Sequence, residues 1–135
     1  MLRAVLEKPF KLKLLESGIP VAKKKEVLLK VLVAGICGSD VHAYRGTQPF
    51  LNYPRVLGHE IVGEIAEVGE GIEELRRGDL VTVDPVFSCG KCYACRVGRG
   101  NCCRDVKVMG VHIDGGFSEY IAVPADIVYK APGNI

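Results

Sequence analysis

The sequence predicts an all-β domain with minor helix, and three features carry that prediction. The chain of 135 residues contains 16 glycines, about 12% where a typical domain has ~7%, so tight turns are frequent. Aromatic residues make up only 7%, with no tryptophan. The apolar residues gather in short, Val- and Leu-rich or alternating segments bounded by glycine and proline, the pattern of strands. An apolar content of 48% over this length is enough for one core, and one domain over residues 1–135 is expected.

Taken in order, Arg3 to Glu7 and Lys11 to Leu15 lie either side of Lys8-Pro9 and read as a hairpin-like pair of strands. Glu26 to Ile36 (EVLLKVLVAGI) is the strongest strand, with Lys30 facing outward and Cys37 delivered at its end. Ser39 to Tyr44 follow as one or two helical turns, with Ser39 or Asp40 as N-cap and Gly46 as the stop. Beyond a turn at Pro54, Glu60 to Val68 (EIVGEIAEV) alternates like a half-buried strand, and Gly63 marks a bulge or a close backbone approach. Arg77-Gly78-Asp79 turns into a strand over Leu80 to Asp84, which Pro85 closes. An irregular excursion to about Lys107 precedes strands at Phe117 to Val123 and Ile127 to Lys130, and Ala131-Pro132-Gly133 reads as the start of a linker.

Charge excludes several classes of partner. Eighteen Lys plus Arg against sixteen Asp plus Glu leave a net charge of +2, too even for a nucleic-acid or membrane-surface footprint. Lys23-Lys24-Lys25 reads as a solvated turn. The apolar stretch from Met1 to Leu6 is short, carries Arg3 and ends at Glu7, unlike a signal peptide. Lys30 interrupts the best apolar run, Val27 to Cys37, which falls short of the ~18 residues a membrane span needs. A soluble, cytoplasmic protein is expected.

Five of the six cysteines fall within CGKCYACRVGRGNCC, residues 89–103. Disulfides among Cys89, Cys92 and Cys95 would close strained small loops and are unexpected in a reducing compartment, so metal is the better reading. Residues 89–107 offer almost no core, and ordering each costs ~1.5 kcal/mol. A structural zinc worth about 10 to 16 kcal/mol offsets much of this. Four thiolates make a closed structural site, with Lys91, Arg96, Arg99 and Arg104 either neutralising it or merely solvated. Spacing alone does not choose between Cys102 and Cys103 as the fourth ligand.

Three stretches, GICGSDVHAYRG (35–46), GHEIVGEIAEVG (58–69) and the C-x2-C-x2-C-x7-C lobe, together resemble the catalytic domain of zinc-dependent medium-chain alcohol and polyol dehydrogenases. GGFSEYIAVP (115–124) adds a fourth, and the resemblance runs over nearly the whole chain. It implies a GroES-like, partly open β-barrel with an irregular zinc-binding lobe at about residues 85–107. In this family the fourth lobe ligand follows the third by eight positions, which implies Cys89, Cys92, Cys95 and Cys103 on the structural zinc and leaves Cys102 spare. It also implies a second, catalytic zinc on Cys37, His59 and Glu60, the mixed thiolate, imidazole and carboxylate set of an open site. Glu60 either ligates directly or stands behind the other two.

The same resemblance implies that Asp40 orients the His59 ring and that Ser39 and His42 pass the substrate's hydroxyl proton to solvent, because imidazole changes charge near neutral pH. The plainer alternatives are an N-cap for Ser39 and a surface residue for His42. Tyr44 and His112 are candidates for the substrate cleft, against simple packing or turn roles. The GSD and G-H-E wording is similar to the sorbitol, threonine and sugar-acid dehydrogenase branch. That implies an NAD- or NADP-dependent oxidation of a secondary alcohol: a polyol, a sugar acid or a hydroxy amino acid.

The sequence departs from the family in having no strand-turn-helix with G-x-G-x-x-G. The expectation is therefore a domain without its nucleotide-binding partner, inactive alone, from a homo-oligomeric parent. Two other classes stand beside this reading. A non-catalytic GroES-like module has no use for G-H-E, Cys37 or the lobe, and a zinc-ribbon nucleic-acid binder would need a basic face.

Overall fold

Among residues 1–132, which the computed structural model describes, ten short strands and two short helices form three antiparallel sheets. Gly133, the last residue of the expected linker, lies outside the described residues. Strands β1 (Leu2–Lys8) and β2 (Lys11–Glu16) pair as the expected hairpin, and β4 (Arg55–Val56) adds to the other edge of β1. The central sheet is built on β3 (Glu26–Gly35), which pairs with β5 (Glu60–Val68) on one side and β9 (Tyr120–Pro124) on the other. Strands β6 (Leu80–Val83) and β10 (Val128–Lys130) extend it, giving the order β10-β6-β5-β3-β9. A two-stranded ribbon of β7 (Val86–Phe87) and β8 (Lys107–Val108) closes the base of the cysteine lobe.

The sheets stay open, and one segment ties them together. Ahead of β9, Ala4 donates to the Phe117 carbonyl at 2.8 Å and Glu119 donates to Leu2 at 3.1 Å. From Glu119 onward the segment belongs to β3, where Val31 donates to the Glu119 carbonyl at 2.9 Å. This partner exchange explains why the strand expected to start at Phe117 starts at Tyr120. The mostly β architecture with sheets that do not close agrees with the expected partly open barrel.

Val27, Leu29, Ile61, Ile65, Val81, Val83, Met109, Val123 and Val128 form the main core. Burial here contributes ~0.8 kcal/mol per CH₂, and none of these core residues belongs to either group of candidate metal ligands. A second cluster of Leu6, Ala43, Leu51 and Leu57 packs helix α1 (Gly38–Arg45) onto β1. Gly63 is the expected close approach: a Cβ there would stand 2.8 Å from the Lys30 carbonyl. The extra residue of the bulge, Leu32, lies on the facing strand β3, between the pairs Val31–Gly63 and Val33–Val62.

Two local expectations need correction. The N-cap of α1 is Cys37, not Ser39 or Asp40; Asp40 sits at the third helical position and its carboxylate reaches back to the Cys37 amide at 2.9 Å. The lobe is less irregular than expected, with helix α2 (Tyr93–Arg96) and a 3-10 turn at Gly100–Cys102. No helix among the described residues is long and apolar enough to cross a membrane.

Candidate functional site

All six cysteines are free thiols. The Sγ atoms of Cys89, Cys92, Cys95 and Cys103 lie within 4.8 Å of one another. Cys92 Sγ is 3.5 Å from Cys95 Sγ and 3.9 Å from Cys103 Sγ, and Cys89 and Cys95 are 4.0 Å apart. A tetrahedron with Zn–S bonds of ~2.3 Å has edges of ~3.8 Å, whereas a disulfide needs ~2.05 Å. The spacing thus fits four thiolates around one divalent ion. Cys103 is buried, while Cys102, at the end of the 3-10 turn, is exposed and outside the group.

The electrostatics of the cluster agree. The amides of Lys91 and Cys92 hold the Cys89 thiol below its ordinary value, and those of Cys95 and Arg104 bring Cys92 down to about 6. For Cys103 the largest single influence, the Cys89 amide, lowers it, yet burial and the thiols of Cys89 and Cys95 together push it up to about 11. Four thiols this close do not all ionise without a cation among them. Backbone amides are the largest lowering influences on Cys89 and Cys92, and Arg104, one of the cations read as either neutralising or solvated, is paired with Asp105 at 3.5 Å.

The second group joins Cys37, His59 and Glu60, whose donor atoms also lie within 4.8 Å. Cys37 follows the end of β3, and His59 and Glu60 stand where β5 begins, directly across the ladder. Gly35 makes room for the carboxylate, since a Cβ there would come 2.6 Å from Glu60 Oε2. Gly58 adopts φ +93°, and a Cβ on it would collide with the Phe117 ring, so the residue before His59 has to be glycine. A cleft of about 490 Å³ opens beside His59 and Glu60, walled by Val33, Val62, Val83 and Pro85. Glu60 is exposed and Cys37 half-buried, so the group faces an open side, whereas the thiol cluster has three half-buried members and one buried one.

Asp40 ties this arrangement together through the backbone. Its carboxylate is only 5% exposed, accepting from the Cys37 amide at 2.9 Å and from the Gly58 amide at 3.2 Å. Its Oδ1 is 3.8 Å from His59 Nδ1, beyond hydrogen-bond range, and that buried nitrogen has no partner. Asp40 therefore holds the backbone segments that carry Cys37 and His59, with its carboxylate facing the His59 ring at 3.8 Å.

Ser39 Oγ stands 3.4 Å from His59 Nε2. His42, exposed one turn further along α1, has Nδ1 3.0 Å from Thr47 Oγ1. Tyr44 and His112 are not brought to this group. Tyr44 packs edge-on against Phe10 at 5.4 Å, and His112 Nδ1 accepts from the Val108 amide at 3.1 Å. Sequence reasoning missed Gly35 and Thr47. The first is flagged only by its register opposite Glu60, the second only by its place after the Gly46 stop.

The model of the alcohol dehydrogenase GroES-like domain family matches residues 23–133. Starvation-sensing protein RspB of Escherichia coli K12 is 55% identical over 128 residues, which cover 95% of this chain and 38% of that protein. L-galactonate-5-dehydrogenase of the same strain is 47% identical over 129 residues, 96% of this chain and 38% of that enzyme. The crystal structure of an RspB short chain alcohol dehydrogenase from E. coli CFT073, complexed with cofactor NADH, superposes with a TM-score of 0.93 at 51% identity, over 99% of this chain and 39% of that one. The chain thus spans about two-fifths of the length of these relatives.

Proposed function

Because the chain belongs to the alcohol dehydrogenase GroES-like domain family, we propose that it is the zinc-binding catalytic domain of an NAD(P)-dependent oxidoreductase acting on a secondary alcohol. The observation that carries the proposal is the mixed donor set of Cys37, His59 and Glu60, gathered within 4.8 Å at the mouth of a cleft. Three unlike ligands with an open side are what a catalytic zinc needs, whereas four thiolates make a closed structural one. We assign Cys89, Cys92, Cys95 and Cys103 to the closed site. A non-catalytic module gives no reason for the open set.

Zinc held there would act as a Lewis acid, making the hydroxyl of a bound alcohol easier to ionise. The chain's own residues supply the rest. Asp40 keeps Cys37 and His59 in register through two amides, so the ligands are held before substrate arrives. Ser39, beside the His59 ring, is placed to take the hydroxyl proton as it leaves. His42 lies on the same face of α1, three residues on, and being exposed hands that proton to water. Val33, Val62 and Val83 give the cleft apolar walls against which the carbon skeleton of an alcohol can rest.

The hydride acceptor, NAD or NADP, is assigned to a nucleotide-binding domain outside this sequence. The substrate class is a polyol, sugar acid or hydroxy amino acid, and the similarity to a galactonate dehydrogenase supports the sugar-acid member. We place the protein in the cytoplasm, where reducing conditions keep the lobe thiols available to metal, and the whole enzyme in a homo-oligomer. The test is NAD(P)H formation by the domain joined to a nucleotide-binding domain, screened against polyols, sugar acids and threonine. His59→Ala should abolish turnover and leave nucleotide affinity unchanged. Near-normal turnover in that variant would sink the proposal.

A further inference from the structure

Thr47 lies outside every motif read from the sequence, yet it holds the histidine assigned to the proton path. Helix α1 ends in a Schellman motif. Gly46, at φ +79°, donates to the Ala43 carbonyl at 3.1 Å, and Thr47 donates its amide to the His42 carbonyl at 2.9 Å. This geometry folds the second residue past the helix back over the last full turn, which here sets Thr47 over His42. Oγ1 then stands 3.0 Å from His42 Nδ1 and 3.2 Å from the His42 carbonyl oxygen.

A hydroxyl has one proton to place between those two neighbours. Directed at the carbonyl, it leaves Oγ1 to accept from Nδ1–H, and both close contacts are hydrogen bonds. Directed at Nδ1, it leaves two oxygens facing each other at 3.2 Å with no hydrogen between them. The first arrangement makes one more bond and avoids that repulsion. It requires the neutral ring to carry its hydrogen on Nδ1, with a bare lone pair on Nε2.

We propose that Thr47 is a positioning residue that fixes neutral His42 in the Nδ1–H tautomer, so that Nε2 is the atom that takes up the proton. The functional part rests on the reading of His42 as the proton outlet. The step balances simply: a new N–H bond forms at Nε2 as the Ser39 hydroxyl gives up its proton and gains one from the substrate hydroxyl, and the imidazolium later releases the Nε2 proton to water. The Nδ1–H to Oγ1 bond is present in both charge states, so the ring need not turn between uptake and release. In the other tautomer the free lone pair would be on Nδ1, already occupied by the threonine hydroxyl.

The experiment reads the tautomer directly. Long-range ¹H–¹⁵N spectra of this chain, taken at alkaline pH, are compared for wild type, Thr47→Ser and Thr47→Val. Thr47 is exposed, so neither variant threatens the core, and unchanged amide spectra of β3 and β5 would verify that. Wild type and Thr47→Ser should show Nδ1 protonated and Nε2 bare. Thr47→Val should tilt the ratio about fivefold towards Nε2–H, the worth of one net hydrogen bond. An Nε2–H ring in wild type, or an unchanged ratio in Thr47→Val, would overturn the proposal. In the enzyme joined to its nucleotide domain, kcat should fall several-fold in Thr47→Val and recover in Thr47→Ser; equal rates in all three would defeat the functional part while leaving the tautomer result intact. Failure of the dehydrogenase reading itself would appear separately, as a missing metal at Cys37 and His59.

Discussion

Replacing Asp40 by alanine should destabilise the fold by about 2 to 4 kcal/mol, far more than an ordinary surface substitution. The side chain is 5% exposed and accepts from two amides, Cys37 at 2.9 Å and Gly58 at 3.2 Å. Hydrogen bonds to a charged acceptor contribute roughly 1.5–3 kcal/mol each, and alanine leaves both donors unpaired, the Gly58 amide buried and the Cys37 amide partly buried. Release of the carboxylate from its own desolvation offsets part of the sum. For a chain of this size the change corresponds to a fall in Tm of about 10 °C, or about 1–2 M in the urea midpoint. Asp40→Asn keeps one accepting oxygen and should cost about half as much. Urea unfolding in excess chelator isolates the effect from metal binding, and an unchanged m-value would show that the unfolded state is unaffected. A loss below about 0.5 kcal/mol in Asp40→Ala would refute the argument, because one buried and one partly buried amide left without acceptors cannot be that cheap.

Four further outcomes are expected. Cys103→Ser should release the lobe metal and expose residues 89–107 to amide exchange while Cys102→Ser does neither, since Cys103 lies in the thiol group and Cys102 outside it; metal analysis of the two variants decides the matter. Gly58→Ala combines a left-handed φ of +93° with a collision against Phe117, and should cost about 2–4 kcal/mol in thermal unfolding. A mild chelator should empty the Cys37, His59 and Glu60 site before the lobe, because three mixed ligands hold zinc less tightly than four thiolates; loss of the lobe metal first would contradict the assignment. The Lys130 ammonium, 2.9 Å away, and then the Arg76 amide hold the Asp79 carboxyl below its usual 3.8. A carboxyl depressed in the folded state stabilises above its unfolded value and loses that contribution as pH falls through the folded one, here below about pH 4. Lys130→Ala should move the Asp79 titration, followed by carbon NMR, back up towards 3.8, and an unmoved midpoint would contradict the pairing.

Local pattern revealed much of this fold, and long-range contact supplied the rest. The Val and Leu of β3 and the alternation of β5 read as strands because their side chains face one core. Leu32, the extra residue in the bulge, was invisible because a bulge exists only relative to a partner strand. The start of β9 was misread for the same reason: Phe117 has a strand-like side chain but bonds across to Ala4 of β1. Cys37 as N-cap went unseen because thiols are not among the usual caps. At the site, the family resemblance of the motifs, rather than spacing, brought Cys37, His59 and Glu60 forward as a set. Gly35 and Gly58 acquire their roles only from what faces them, a carboxylate and a phenyl ring. As a site residue Asp40 came forward only through the resemblance, and the backbone amides it accepts from are partners that no sequence displays.

The claim at the centre of this account is that the chain holds two unlike metal sites, and native mass spectrometry of the zinc-loaded protein tests it most directly. Wild type should carry two zinc ions per chain. His59→Ala should carry one, retained through the four lobe thiols, and Cys103→Ser should also carry one, held by Cys37, His59 and Glu60. One ion or none in wild type, or two still bound in His59→Ala, would contradict the account.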